Sequence, residues 1–250
     1  MFKIVNIVKT AALMGAAVFV CVTETGADIP TSSRSSAAIQ RQMPTLKSAL
    51  SDKGLDYGAP IFLRIIKSGD GAAGDGYLEA FVADTAGHFS LFKRWDICTW
   101  SGALGPKLRQ GDGQSPEGFY FVTPSRLNPY SSYHLSFNLG YPNAYDRAHG
   151  RTGDFLMVHG KCVSIGCYAM TDQGIEEIYT LMNAALEGGQ PFVRVHIFPF
   201  AMTDENMTRF QNNHNAAFWK NLKTGWDHFE RDRFPPNVET RDKVYIFNSD

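Results

Sequence analysis

Two residues that can carry nucleophilic chemistry, a histidine and a cysteine, lie close together in this 250-residue chain. His159 directly follows the apolar run 155–158, and Cys167 lies shortly before a helical pattern that opens at Asp172. The run predicts a buried strand, and the stretch after it predicts a tight loop that can fold back. Because a nearby imidazole and the positive end of a helix both favour the nucleophilic thiolate, the segment predicts a Cys/His pair.

The same segment resembles the L,D-transpeptidase catalytic domain, also called the YkuD-like family. The family motif is His-Gly at a strand end, a loop, and then Ser/Thr-His-Gly-Cys. His159-Gly160 matches the first part and Ser164-Ile165-Gly166-Cys167 matches the second. The loop is shorter than in most members, and Ile165 stands where most have a second histidine. Both departures look like the murein L,D-transpeptidase subgroup, which includes an amidase that cleaves a lipoprotein from peptidoglycan.

The resemblance implies roles for individual residues. Cys167 is expected to be the nucleophile, and His159 to take the thiol proton and later protonate the leaving amine. The carbonyl of Gly160 is expected to orient the imidazole, and backbone N–H groups at Gly166 and Cys167 to hold the oxyanion. Ser164 is a candidate for contacting the substrate. We expect neither a metal nor a cofactor.

The substrate implied by the resemblance is the diaminopimelate-containing peptide stem of peptidoglycan, with or without an attached outer-membrane lipoprotein. The acyl-enzyme could react with an amine, which gives transpeptidation, or with water, which gives hydrolysis. The sequence leaves both directions open. The formal net charge of −1 gives no bulk attraction to nucleic acid, so we expect no such partner.

Composition and pattern favour a mainly β protein with helices, an α+β fold. Apolar residues make up 44% of the chain, which suffices for a full core, and 23 glycines and 12 prolines suit many loops. The resemblance adds a YkuD-like β-sandwich with a flanking N-terminal helix and a C-terminal helical appendage. We expect a linker and short helical segment over 28–57, the catalytic domain over 58–200, and a C-terminal helix and strand over 201–250.

The N-terminus predicts export. Lys3 and Lys9 are followed by an uncharged apolar run, 11–22, which is too short for a comfortable membrane span and suits a signal peptide over 1–27. Cleavage near Ala27 would release a periplasmic protein. Two alternatives stay open: lipidation at Cys21, although the preceding residues lack the usual small side chain, and an uncleaved anchor.

Export gives the cysteines a meaning. Once Cys21 has left with the signal, Cys98, Cys162 and Cys167 remain, and an odd count in an oxidising compartment suggests one disulfide and one free thiol. Since Cys167 is the nucleophile by resemblance, we predict that Cys98 pairs with Cys162. The alternative is three free, mostly buried thiols.

The polar, aromatic loop 140–153 ahead of the motif is a candidate for facing the substrate. Arg147, His149 and Arg151 could bind stem carboxylates, because a guanidinium matches a carboxylate in two-pronged geometry. Alternatively, Asp146 pairs with one of these arginines and only holds the loop. His134, on a predicted strand over 133–139, is a further candidate, with a structural role as its alternative.

Two other classes of protein compete with this interpretation. A zinc peptidase could use His149, His159, Cys162 or Cys167, but the chain contains no Cys-x2-Cys or His-Glu-x-x-His motif. A noncatalytic peptidoglycan-binding module would leave the Cys/His motif unexplained.

Overall fold

The computed structural model describes residues 28–68 and 76–248, so the expected signal peptide, its cleavage position and Cys21 lie outside the described residues. Five α-helices occur in the described ranges: α1 Ser33–Ser51, α2 Ala144–Ala148, α3 Asp172–Glu187, α4 Asp204–Arg209 and α5 Ala216–Asp232. None of the helices within 28–68 and 76–248 is both long and apolar enough to span a membrane.

The strands form two sheets and a separate hairpin, which confirms the α+β class. The larger sheet consists of β1 Ile61–Ser68, β2 Tyr77–Ala83, β3 Phe89–Asp96, β4 Gly118–Val122 and β9 Val193–Phe200, in the order β3-β2-β1-β9-β4. The smaller sheet consists of β5 Leu127–Asn128, β6 Ser136–Asn138, β7 Met157–His159 and β8 Tyr168–Ala169, in the order β5-β6-β7-β8. The hairpin consists of β10 Val238–Arg241 and β11 Val244–Phe247.

Helix α3 lies in the core between the two sheets. Every residue from 174 to 186 is buried, as expected for a helix covered on all sides, and the helix contacts β1 of one sheet and β6 and β7 of the other. The Thr171 side chain caps its start by accepting the N–H of Gly174. The helix therefore holds the small sheet, which carries His159 and adjoins Cys167, against the large one.

Helix α1 packs against α3 and is longer than the sequence predicts. A kink or two short turns is expected at Pro44, because proline lacks an N–H and clashes with the preceding turn. The helix instead runs unbroken from Ser33 to Ser51, beginning with a capping box formed by Ser32 and Ser35. Burial of its inward face, including Leu46 and Leu50, offsets the lost hydrogen bond.

The C-terminal region is also more divided than its pattern predicts. The single long helix expected after Thr203 is two helices, α4 and α5, and the last strand pairs with β10 in its own hairpin. Trp219 and Leu222 of α5 are buried in a second core with Phe198 and Phe200 of β9. This appendage covers one face of the large sheet.

Candidate active site

The motif residues are brought together by the small sheet. His159 ends β7, and Cys167 immediately precedes β8, which pairs with β7 in parallel. Because Val158 is opposite Tyr168 in that pairing, Cys167 falls beside Met157, whose N–H points at Sγ over 3.4 Å. The loop between the strands can reverse within so few residues because Lys161, Cys162 and Gly166 all adopt positive φ.

His159 is buried, with only 4% of its surface exposed. Its Nδ1 lies 2.6 Å from the carbonyl of Gly160, so we assign the ring proton to Nδ1 and leave Nε2 as the basic nitrogen. Burial lowers the pKa of His159 and outweighs the opposing effect of that carbonyl. The imidazole is therefore neutral near pH 7 and can act as a general base.

The thiol of Cys167 is not pre-ionised. Burial raises its pKa, only partly countered by the N–H of Met157 and the charge of Lys107. Besides that N–H, Sγ contacts the Phe155 carbonyl at 3.8 Å, and no hydrogen bond joins Sγ to the His159 ring within the described residues. The resting pair is thus a neutral thiol and a neutral imidazole.

The predicted effect of a helix N-terminus on the Cys167 thiolate concerns helix α3. Along the chain, strand β8 lies between Cys167 and α3, and in the first turn of that helix the Gly174 N–H donates to the Thr171 side chain. The influence of this helix end on the thiolate stays a prediction.

Both motif residues line one cleft of about 530 Å³. Its wall includes Lys107, nearly buried and paired with Asp112, and three largely exposed apolar side chains on the rim. The rim residues are Phe155, Val163 and Ile165, of which Ile165 is 92% exposed. The isoleucine that replaces the family's usual histidine thus faces solvent at the rim of the cleft.

Serine hydroxyls hold the backbone around Cys167. The Cys167 carbonyl accepts hydrogen bonds from Ser164 Oγ at 2.7 Å and Ser115 Oγ at 3.1 Å. Ser164 Oγ also accepts the N–H of Gly166 at 3.1 Å. The Gly166 N–H is therefore engaged rather than free for an oxyanion, which corrects that expectation. The N–H of Cys167 itself has no acceptor among the described residues and is the better candidate.

The arginines and histidine predicted to bind stem carboxylates lie outside this cleft. Arg151 Nη1 donates to Asp146 at 2.8 Å, both side chains being buried, and His149 Nε2 contacts the Lys243 carbonyl at 2.8 Å. Arg147 donates to the carbonyl of Pro142. A buried carboxylate requires a cation, so the alternative in which Asp146 holds the loop describes the structure.

His134 is likewise turned away from the cleft. Its predicted strand is reduced to β6 because His134 itself adopts φ +71°, a turn conformation. Its Nε2 lies 2.8 Å from Glu176 Oε1 on α3. Sequence reasoning missed Lys107 and Tyr133, which do line the cleft. No period or motif marks either residue, since each reaches the cleft through a loop from another part of the chain.

The remaining cysteines lie as follows. Cys98, just after β3, and Cys162, in the loop between His159 and Cys167, are joined by a disulfide bond, and Cys167 is a free thiol. The bond links the edge of the large sheet to the catalytic loop. Over the described ranges 28–68 and 76–248, no group of three or more His, Cys, Asp or Glu side chains is arranged to hold a metal.

Residues 81–246, well over half of the chain, match the model of the L,D-transpeptidase catalytic domain (YkuD). The chain therefore belongs to the L,D-transpeptidase catalytic domain family. The match continues beyond β9 through α4 and α5 into the final hairpin.

Two proteins of Escherichia coli are similar in sequence to this chain. YafK of Escherichia coli strain K12, named provisionally as an L,D-transpeptidase, is 48% identical over 189 residues, covering 76% of this chain and 74% of that protein. YafK of Escherichia coli O157:H7 gives the same values.

Two solved structures were also matched. The helical cell shape determining protein Pgp2 of Campylobacter jejuni has a TM-score of 0.44 and 19% identity, over 75% of this chain and 66% of that one. Bd1075 of Bdellovibrio bacteriovorus has a TM-score of 0.36 and 16% identity, over 70% and 61%. The chain thus spans slightly less than two thirds of either solved protein.

Proposed function

We propose that this protein is an exported, cysteine-dependent peptidoglycan enzyme that forms an acyl-enzyme on the diaminopimelate-containing peptide stem. The observation that carries the proposal is the cleft of an L,D-transpeptidase-family domain in which a free thiol and a buried neutral imidazole both line the wall. A neutral base beside a protonated thiol is the combination that general-base activation of a nucleophile requires.

The proposed reaction has two halves. His159 Nε2 takes the Cys167 proton as Sγ attacks a stem carbonyl, while the Gly160 carbonyl holds Nδ1–H and stabilises the imidazolium that forms. The N–H of Cys167 donates to the oxyanion. The C–N bond then breaks, His159 gives its proton to the leaving amine, and a thioester remains. An amine or water attacks the thioester, and the thiol is regenerated.

The second half decides the biological outcome. With an amine acceptor the enzyme is a murein L,D-transpeptidase, and with water it is a hydrolase of the link between an outer-membrane lipoprotein and the wall. The relationship to YafK supports the first outcome. The motif's resemblance to a subgroup that contains an amidase supports the second.

We also propose that the protein acts in the periplasm after export through its N-terminal segment, which would be its only contact with a membrane. A disulfide between Cys98 and Cys162 suits an oxidising compartment and supports this assignment.

Sacculi that carry bound lipoprotein provide the test. The mature protein and a Cys167→Ala control are incubated with them, and the products are analysed by mass spectrometry. Free lipoprotein plus an intact stem indicates hydrolysis, and new stem-to-stem links indicate transfer. Binding without any product, equal in wild type and control, would favour a noncatalytic wall-binding module.

A further inference from the structure

Tyr133 contacts both the His159 ring and the neighbouring backbone of Gly160. Its ring lies over the imidazole with centroids 4.7 Å apart and planes inclined by 35°, and its carbonyl accepts the Gly160 N–H at 3.0 Å. Gly160 is the residue whose carbonyl binds His159 Nδ1. The tyrosine ring lines the cleft and is 46% exposed, while the imidazole beneath is almost fully covered.

Gly160 is confined by its neighbours. A Cβ at this position would lie 2.5 Å from Asp172 Oδ1 and 3.1 Å from the Tyr133 carbonyl, so only glycine fits. Asp172 Oδ1 also accepts the N–H of Lys161 at 2.9 Å. The backbone that orients the imidazole is therefore gripped between the first residue of α3 on one side and Tyr133 on the other.

The turn that carries Tyr133 is fixed from helix α1. Arg34 Nη1 donates to the carbonyls of Ser131 at 2.8 Å and His134 at 2.7 Å, which flank Tyr133 on both sides. Within the turn, the Tyr133 N–H donates to Ser131 Oγ at 3.0 Å. Arg34 lies outside residues 81–246, the part of the chain that matches the family domain. An element preceding that domain thus reaches the wall of the cleft.

We propose that Tyr133 is a positioning residue for His159, and that Arg34 holds the turn that presents it. The aromatic ring restricts rotation of the imidazole and keeps water off its face, while the Tyr133 carbonyl fixes Gly160 and through it Nδ1. The inference rests on the proposed function in taking His159 as the general base.

The surroundings of His159 define what should change if the ring is removed. The titratable groups around it are Tyr133 above the ring, Cys167, Lys107 and Asp154 along the cleft, and Lys161 and Asp172 beside Gly160. None of these charges contributes to the shifted pKa of His159, which has burial as its main cause. Uncovering the imidazole should therefore raise its pKa towards the ordinary value.

The test compares Tyr133→Phe, which keeps the ring, with Tyr133→Ala, which removes it. The His159 imidazole is titrated by NMR in the full mature chain, with its signal assigned by loss in His159→Gln. We expect Tyr133→Ala to raise the pKa of His159 and to lower kcat roughly ten- to a hundred-fold with a smaller change in KM. The acid limb of the pH–rate profile of Tyr133→Ala should lie at higher pH than that of the wild type. Tyr133→Phe should change neither, and Arg34→Ala should shift the titration in the same direction by less.

An unchanged His159 titration in folded Tyr133→Ala, or an equal shift in Tyr133→Phe, would overturn the positioning role. If Tyr133→Ala does not fold, Tyr133→Val, whose smaller side chain also uncovers part of the imidazole face, takes its place and is judged by the same two outcomes. The NMR titration needs no turnover, so a failure of the proposed peptidoglycan activity remains distinguishable from a failure of this inference.

Discussion

Lys67 Nζ and Glu117 Oε1 form an ion pair at 3.1 Å although both side chains are completely buried. The pair joins three parts of the fold: Lys67 is the penultimate residue of β1, Glu117 precedes β4, and Trp219 of α5 donates its indole N–H to Glu117 at 2.9 Å. Glu117 Oε1 also accepts the Gly105 N–H at 2.6 Å. A strand of the larger sheet, the segment that leads into β4 and the C-terminal appendage therefore share one buried network.

We expect Glu117→Gln to reduce the free energy of unfolding by about 3 kcal/mol or more, because it leaves the Lys67 charge buried without a counter-ion. Urea unfolding followed by circular dichroism measures this. Glu239→Gln, which breaks an exposed pair with Arg241 in the hairpin, is the matched control and should leave stability almost unchanged. Equal effects of the two substitutions would show that the buried network does not contribute substantially to the free energy of unfolding.

The pH dependence of turnover should reflect a neutral resting pair. Because burial lowers the pKa of His159 below its ordinary value of 6.5, kcat/KM should rise with pH along an acid limb centred below that value. A pH–rate profile of the purified protein tests this, with His159→Gln as the inactive control. An acid limb centred well above 6.5 would mean that His159 is charged in the free enzyme and cannot be the base as described.

Stability should fall on acidification, for a reason outside the cleft. His196 is buried among Phe62, Phe119 and Phe198, and burial lowers its pKa well below the ordinary 6.5. Below pH 6.5 the unfolded chain binds a proton at this site more readily than the folded one. The free energy of unfolding should therefore decrease from pH 7 towards pH 5.

Substitution of that histidine provides the control. His196→Leu should flatten the pH dependence of stability, whatever it does to stability at pH 7, because the variant has no proton to take up at this position. Urea unfolding at several pH values gives the comparison. An identical slope in both proteins would assign the acid sensitivity to other groups.

The disulfide should matter for catalysis as well as for stability. Cys162→Ser releases the loop between His159 and Cys167 from its link to Cys98 after β3. We therefore expect a lower kcat and a free energy of unfolding that is smaller by roughly 2–5 kcal/mol. Titration of the mature, unreduced protein in denaturant should find one free thiol. Three free thiols would show that the bond does not form. Full activity of Cys162→Ser would show that catalysis does not depend on the bond.

The sequence predicted the α+β class and the segment that holds His159 and Cys167, because strand and helix periods and a short motif are local signals. It did not predict the unbroken helix at Pro44 or the reduced strand at Ser136–Asn138. Both depend on tertiary contacts: α1 is held by packing on α3, and the turn at His134 by Arg34 and Glu176.

The wider site was predictable only in part. The pattern of Arg147, His149 and Arg151 is typical of an anion-binding loop. Only the fold shows that Arg151 forms an ion pair with the buried Asp146. Conversely, Lys107 and Tyr133 lie far from the motif in sequence and carry no signature, so their approach to the cleft follows from chain topology alone.

The central claim is that a thioester forms at Cys167. The most direct measurement is intact-protein mass spectrometry after the mature enzyme is mixed with a diaminopimelate-containing tetrapeptide stem and quenched in acid, followed by peptide mapping. We predict a mass increase equal to the acyl fragment, located on Cys167, absent from Cys167→Ala and accumulating more slowly in His159→Gln. Product formation by Cys167→Ala, or turnover with the fragment on another residue, would contradict the account.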